Sequence, residues 1–224
     1  MWRSIKALLY KDILIEWRNR YVLGGIALYV AASVLLIYFS LQYNDALQGL
    51  SPVVWSILFW LIMLFSSLNA IANSFFREPE GRTLYYYYIT SPEAIILAKM
   101  LYNFLFTVLL SALAFLFFSV MVPNPVQQQG LFFLVVLLGG TSYSFLFTLM
   151  SAIASRAGGN ATLIAVLGFP IIIPLLIFIT RLSTAAIAES TLSSATVNNL
   201  LLLTALNLMQ LILAYILFPY IWRE

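Results

Sequence analysis

The sequence contains no cysteine and no histidine, and only 8% of its 224 residues are charged. Without cysteine the chain forms no disulfide bonds, has no thiol nucleophile and cannot ligate an iron–sulfur cluster. Without histidine it lacks the commonest protein ligand of metals and haem. These absences argue against a catalytic or metal-binding role for the chain.

Apolar residues dominate instead, at 63% of the chain. Six charge-free runs are each about 20 residues or longer, the length that a helix needs to cross a bilayer core of about 30 Å. Because the runs are continuously apolar rather than alternating, they favour helices over a β-barrel. The sequence predicts an all-α membrane protein with a single transmembrane domain over residues 1–224. Its spans are placed at about 21–43, 53–76, 98–122, 130–154, 161–181 and 200–222.

The basic residues are distributed unevenly between the two sides of these spans. Ten of the eleven lysines and arginines lie on one side, and only Arg181 lies on the other. By the positive-inside rule, both termini and the loop at 77–97 face the cytoplasm. The connections at about 42–52, 123–130 and 181–199 then face outward. The last of these is rich in Ser, Thr and Ala, which suggests a loop that partly re-enters the membrane.

Residues 1–20 show the pattern of an amphipathic helix lying on the membrane surface. At 100° per residue, the apolar face comprises Trp2, Ile5, Leu9 and Ile13, and the opposite face carries Arg3, Ser4, Lys11 and Arg18. The alternative is an ordinary segment beside the membrane whose basic side chains snorkel to water.

The predicted cytoplasmic loop contains the stretch GRTLYYYYITSPE, with the four consecutive tyrosines Tyr85, Tyr86, Tyr87 and Tyr88. After it, Ser91 can cap a helix and Pro92 suits the first helical position. Arg82 to Ile89 is predicted to form one or two helical turns. Such an aromatic segment with mixed charges suits a groove on a partner protein, because Tyr and Arg are enriched at protein contacts. An aromatic belt at the lipid headgroups is an equal alternative from the residues alone.

No residue pattern of the chain provides its own source of energy. The sequence has no P-loop, and no acidic side chain lies within a predicted span, so neither ATP binding nor ion coupling in the membrane is expected. Active transport would then need an ATPase on another subunit. Glu78 and Glu80, separated by Pro79, are interpreted as part of a docking or gating loop rather than as an acid–base or metal pair.

Two features of the spans bear on movement and packing. Pro170 and Pro174 lie four residues apart in the fifth span, so this helix is predicted to be kinked or broken and to act as a hinge. The neutral polar residues within spans are interpreted as helix-packing groups, with a substrate-facing role as the alternative. They are Asn69, Asn73, Gly139, Gly140, Thr141, Ser142, Asn207 and Gln210.

Residues 53–104 and 137–178 resemble the haem exporter protein B family, the permease of the cytochrome c maturation system. The first part of the resemblance is an acidic loop with a glycine, an apolar turn, a Ser-Pro pair and a lysine entering the third span. The residues concerned are Glu78, Glu80, Gly81, Leu84, Ser91, Pro92 and Lys99. The second part is a basic-glycine turn before a proline pair, formed by Arg156, Gly158, Gly159, Pro170 and Pro174.

The resemblance implies a six-span ABC permease of the type-2 exporter kind in the bacterial inner membrane, with a surface helix at its N-terminus. It implies as partners an ATPase subunit that binds ATP, a haem-handling membrane subunit, a small membrane peptide and a second copy of the chain, with no nucleic acid. The loop between the second and third spans would then carry the helix that inserts into the ATPase. The expected coupling residues are Glu78, Glu80, Gly81, Arg82, Leu84, Tyr85 to Tyr88, Ser91 and Pro92, with Arg156, Gly158 and Gly159 as a second contact.

Haem is the cargo that the resemblance implies, and no cofactor is expected to be bound directly by this chain. Haem iron takes His, Cys, Met or Tyr as axial ligands, and this chain offers only Met and Tyr. Haem passing this subunit would be held by aromatic and apolar contacts or ligated by a partner. Two other functions fit the same physical features: a permease for a lipid-like or drug-like cargo, and a scaffold that transports nothing.

Overall fold

The computed structural model describes residues 2–18, 20–43, 47, 49–72, 75, 90–157, 162–188 and 193–223. This part of the chain consists of α-helices and contains no β-strand. In chain order the helices are α1 Trp2–Arg18, α2 Arg20–Tyr43, α3 Pro52–Ile71, α4 Pro92–Met121, α5 Gln129–Arg156, α6 Thr162–Ala188 and α7 Ser194–Arg223. Helices α2 to α7 are each long and apolar enough to cross a membrane. The predicted all-α fold with six spans is confirmed.

Helix α5 lies at the centre of the bundle and packs against α3, α4, α6 and α7. Helix α1 lies outside the bundle, packs mainly on α4 and also touches α2. The bundle buries only Ile5 and Asp12 among the residues of α1. The rest of its apolar surface, including Trp2, is largely exposed.

The third span begins earlier than its apolar run. Helix α4 starts at Pro92 rather than at about residue 98, with Ser91 at the N-cap position and Pro92 as the first helical residue, as the sequence predicts. The Ser91 side chain makes no capping hydrogen bond, so that part of the prediction is wrong. Glu93 stands in the first turn, where a carboxylate favours the positive end of the helix dipole.

The predicted outward loop at 181–199 is mostly helical. Helix α6 continues to Ala188 and α7 begins at Ser194, which leaves a short connection in place of a loop that re-enters the membrane. The threonines in this part of α6 do not end the helix, because their hydroxyl groups donate hydrogen bonds to backbone carbonyls of the same helix. The hydroxyl of Thr180 donates to the carbonyl oxygen of Leu176 at 2.6 Å, and that of Thr184 donates to Thr180 at 2.7 Å.

The proline pair of the fifth span lies inside a continuous helix. Pro170 and Pro174 both fall within α6, so the break that the sequence allowed is wrong. Prolines are tolerated inside membrane helices because neighbouring groups and local adjustments satisfy the freed carbonyl groups. A hinge at these two residues stays a prediction.

An aromatic core fills the bundle near the start of α3. The fully buried ring of Trp55 stacks on Phe59 with 5.8 Å between centroids and meets Phe118 edge-on at 5.0 Å. Trp60, the next ring along, donates a 2.7 Å hydrogen bond from Nε1 to Ser183 Oγ on α6. Buried tryptophans usually find such a partner, because an unpaired N–H is costly in an apolar core.

Some of the small and amide residues of the spans pack helices together, as the sequence predicts, whereas Asn69 is exposed and Asn73 lies outside the described residues. Gly139 lies against the Trp60 ring, where an added Cβ would come within 2.4 Å of a ring carbon. About one turn further along α5, the Ser142 hydroxyl donates to the side-chain oxygen of Asn207 at 2.6 Å. Asn207 in turn donates to the carbonyl oxygen of Leu138 at 3.0 Å. These contacts join α5 to α3 and α7.

Candidate functional site

The segments predicted to couple to a partner leave the bundle at one end. Helix α3 ends there at Ile71, α4 begins at Pro92, and α5 ends at Arg156, close to the end of α7. We call this the loop end and the opposite end the far end. Most of the predicted coupling residues lie outside the described part of the chain: Glu78, Glu80, Gly81, Arg82, Leu84, Tyr85, Tyr86, Tyr87, Tyr88, Gly158 and Gly159.

The chain leaving α3 is held against the bundle before the loop begins. The Ser151 hydroxyl on α5 donates a 2.8 Å hydrogen bond to the carbonyl oxygen of Ala72. Three residues on, Phe75 is 9% exposed and its ring lies 5.6 Å from that of Phe218 on α7, measured between centroids. The start of the loop is therefore fixed to both α5 and α7.

The other end of the loop is fixed through Lys99, two turns into α4. Lys99 is 6% exposed, and its Nζ lies 3.7 Å from Oδ2 of Asp12 on α1. The same ammonium lies 5.5 Å from the centroid of the Phe75 ring. A buried ammonium is tolerated when an opposite charge or an aromatic face compensates for lost water. Lys99 thus connects α1, α4 and the segment that follows α3.

Asp12 has a second cationic neighbour on its more exposed side. The Nζ of Lys11 lies 3.0 Å from Asp12 Oδ1, and its side chain is 27% exposed, whereas that of Asp12 is 8% exposed. Below this pair, Ile5 packs in a small apolar cluster with Ala94 and Ala98 of α4. The two alanines allow α1 to approach α4 closely, which brings Asp12 within reach of Lys99.

The predicted second contact, Arg156, lies at the last turn of α5 beside the end of α7. Its guanidinium lies 5.0 Å from the centroid of the Trp222 ring, in a cation–π arrangement. One of its terminal nitrogens also donates a 3.3 Å hydrogen bond to the Trp222 carbonyl oxygen. Arg156 therefore caps the Trp222 carbonyl near the end of α7. Because the rest of its side chain is exposed, it also presents a positive charge at the loop end.

These contacts form one continuous chain of side chains across the loop end. Trp222 lies 5.4 Å from Phe218 between ring centroids, and Phe218 leads back to Phe75. The chain, which we call the loop-end network, consists of Asp12, Lys99, Phe75, Phe218, Trp222 and Arg156. It joins five separate segments of sequence: α1, the segment at Phe75, α4, α5 and α7.

The sequence analysis found part of this network. Arg156 was predicted as a partner contact, and Lys99 entered only through the family resemblance. Asp12 was missed, although it follows Ile5 by seven residues, which puts both on one face of a helix. Phe218 and Trp222 are four residues apart on the last span, and this spacing also indicates a shared face. Phe75 carries no local signal, since it ends an apolar run.

At the far end, an apolar cavity of about 860 Å³ opens between α4 and α5. Its walls include Phe115, Phe132 and Phe133, with Ser111 and Asn124 among its few polar groups. Its lining, all within the described residues, includes no Met or Tyr that could ligate haem iron. The cavity can take an apolar or amphiphilic molecule by contact alone.

The comparison with known protein families assigns the chain along almost its whole length. No curated protein matches the sequence. The model of one family, described as CcmB protein, matches residues 3–221 and therefore includes α1, the loop and every residue of the loop-end network except Trp222. The chain belongs to the CcmB family, the membrane permease subunits that work with an ATPase subunit in an ABC transporter for cytochrome c maturation.

Proposed function

We propose that this chain couples ATP hydrolysis on its ATPase partner to the transfer or release of haem across the bacterial inner membrane. The observation that carries the proposal is that the segments on both sides of the loop between α3 and α4 are held against the bundle. Ser151 holds Ala72 on one side, and Lys99 joins Phe75 to α1 and α4 on the other. When the ATPase moves a loop that is attached at both ends, the helices to which it is attached move with it.

The loop end is proposed to face the cytoplasm, with both termini inside. The excess of basic residues on that side of the spans supports this orientation. Helix α1 would then lie along the inner surface of the membrane. Its exposed apolar residues support that placement, because Trp2 is 73% exposed and Trp17 is 69% exposed. Tryptophan favours the interface between headgroups and acyl chains.

In this mechanism the ATPase grips the aromatic segment of the loop. The tyrosines Tyr85 to Tyr88 fill a groove on the partner, and Glu78, Glu80 and Arg82 supply charge contacts around it. A groove that accepts four tyrosine rings would have to be wider than one that accepts smaller apolar side chains such as leucine. Arg156, with Gly158 and Gly159, forms the second contact, and Pro170 and Pro174 let α6 bend as the far end opens.

Haem is the proposed cargo of the complete transporter, which would also contain a haem-handling membrane subunit, a small membrane peptide and a second copy of this chain. The chain supplies apolar and aromatic surface rather than an iron ligand. The cavity of about 860 Å³ at the far end is one place among the described residues where such contact is available. Partner subunits would provide axial ligation.

Purification of the intact complex in mild detergent, followed by mass spectrometry and ATPase assays, tests the proposal. We expect an ATPase and a haem-handling protein to copurify with the wild-type chain. Replacing Glu78 and Glu80 together by lysine should abolish the ATP-dependent activity without removing the chain from the membrane. Replacing Tyr85 to Tyr88 by leucine should weaken recruitment of the ATPase.

The outcomes separate the proposal from its alternatives. An ATPase without a haem-handling protein would indicate a permease for another cargo. Full ATP-dependent activity after charge reversal at Glu78 and Glu80 would indicate a scaffold. Unchanged ATPase recruitment by the leucine variant would show that the tyrosines form an aromatic belt at the headgroups and do not dock.

A further inference from the structure

Asp12 is a buried carboxylate on a helix that otherwise lies outside the bundle. The apolar residues of α1 that remain exposed suit a surface helix, but a surface helix has no need of a buried charge. The side chain of Asp12 is 8% exposed and faces Lys99, which is equally buried. The ion pair between Asp12 and Lys99 therefore holds α1 against α4 in a way that membrane attachment does not require.

Apolar packing alone could hold these two helices together. Ile5 already fits between Ala94 and Ala98, and Leu8 and Leu97 pack around them. Taking two charges out of water opposes folding, and a well-packed apolar pair of similar size is often at least as stable. A buried ion pair therefore does not by itself indicate that the pair stabilises the protein. Its better-attested use is to select one register between two helices.

The position of Lys99 makes this register relevant to the loop. Lys99 follows Pro92, the first residue of α4, by seven residues, so it is about 10 Å along a rigid helix from the end of the loop. Its ammonium also faces Phe75, just before the loop. The distance of 3.7 Å between Lys99 Nζ and Asp12 Oδ2 suits an ion pair but exceeds a direct hydrogen bond.

We propose that Asp12 is a positioning residue for energy coupling: its ion pair with Lys99 makes α1 move as one unit with the root of the loop. Movement of the loop by the ATPase then tilts α1 in the membrane surface together with α4. This inference rests on the proposed function, since it requires an ATPase at the loop.

The test uses the whole transporter complex reconstituted in lipid vesicles, with transport and ATP hydrolysis measured in the same preparation. The central variant combines Asp12→Asn with Lys99→Met, which removes both charges of the buried pair together. We expect this double variant to assemble with the ATPase and hydrolyse ATP at the wild-type rate. The transport per ATP hydrolysed should fall about tenfold, within the usual range of coupling between sites.

Two further variants separate positioning from general stability. The exchanged pair Asp12→Lys with Lys99→Asp should regain part of the transport per ATP, because the attraction between positions 12 and 99 is restored while Lys11 repels the new lysine. Glu16→Gln removes one carboxylate from the same helix at a half-buried site and should leave the transport per ATP unchanged. A merely structural role would instead lower the yield of complex and both activities together.

Different results would contradict the role of Asp12 and the proposed function. If wild-type complex shows no ATPase, or transport that does not depend on ATP, the proposed function is wrong. If wild-type is coupled and the double variant carries as much substrate per ATP as wild-type, the role of Asp12 is wrong. Loss of complex in the double variant but not in the exchanged pair would also contradict it, since it would indicate a clamp needed for assembly.

Discussion

The interior of the bundle and its loop end are held together by different forces. In the interior, polar groups are neutral: some donate to carbonyls of their own helix, as Thr180 and Thr184 do, and others, such as the Tyr143 hydroxyl, are buried without a hydrogen-bond partner among the described residues. Bulky aromatic residues such as Trp55 and Trp60 fill the space between helices. At the loop end, charges bridge segments that are distant in sequence, as Lys99 does with Asp12 and Phe75.

This difference follows from what each region must do. Inside the membrane, a charge is costly and helix contact depends on fit and on small residues. At the loop end, the buried charges of Asp12 and Lys99 face each other, so they link two helices while each is compensated by the other. The interior therefore sets the fold, and the loop-end network is the part that we propose transmits movement of the loop.

The largest expected effect breaks the loop-end network at its buried ion pair. Lys99→Met removes the more buried of the two cations that face Asp12 and leaves its carboxylate only the partly exposed Lys11, which should lower the free energy of unfolding by about 3 kcal/mol, the lower end of the range for a broken buried pair. Thermal unfolding of the purified chain in detergent measures this. Adding Asp12→Asn should restore most of the loss. Equal stability of the single and double variants would show that the pair is not buried as described.

The next effect concerns the interior. Gly139→Ala places a Cβ only 2.4 Å from a carbon of the Trp60 ring. Overpacking of this kind should destabilise the chain by about 1–3 kcal/mol, and the yield of folded protein should fall with it. Gly140→Ala is the matched control, because its Cβ would lie 3.4 Å from Thr107. Equal sensitivity at the two glycines would contradict the packing of α3 on α5.

The sequence predicted the interior better than the loop end, for a physical reason. Spans are defined by hydropathy over about 20 residues, which is a local property. Their ends were predicted less well, because Ser, Thr and Ala near Ala188 are compatible with both helix and loop. Asp12 was missed because a carboxylate on an amphipathic helix is ordinarily assigned to the wet face. Only the fold brings it to Lys99.

Arg156→Gln tests the other end of the loop-end network. It removes the cation from the Trp222 ring, and because glutamine is two bonds shorter than arginine it also removes the 3.3 Å hydrogen bond to the Trp222 carbonyl. Stability should fall by only about 0.5–1 kcal/mol, the usual value for an exposed cation–π pair. Stimulation of the ATPase by the permease should fall clearly. Arg156→Lys, which keeps the charge, should show the smaller defect, and the reverse order would exclude a charge contact.

The smallest effect lies at the contact between α5 and α7. Asn207→Leu removes its hydrogen bonds with Ser142 and the Leu138 carbonyl. Hydrogen bonds between membrane helices contribute about 0.6 kcal/mol on average, so unfolding should shift only slightly. Transport per ATP should be unchanged. A strong transport defect at normal stability would show that this interior contact takes part in coupling.

The most direct measurement is cysteine crosslinking of the loop to its partner in native membranes, which is straightforward because the chain has no cysteine of its own. Tyr86→Cys places a thiol in the aromatic segment, and Asn124→Cys places one at the far end. We expect Tyr86→Cys to crosslink to a separate ATPase chain in a nucleotide-dependent manner, with no such product from Asn124→Cys. No crosslink at Tyr86, in membranes where the transporter is active, would contradict docking of the ATPase at the loop end.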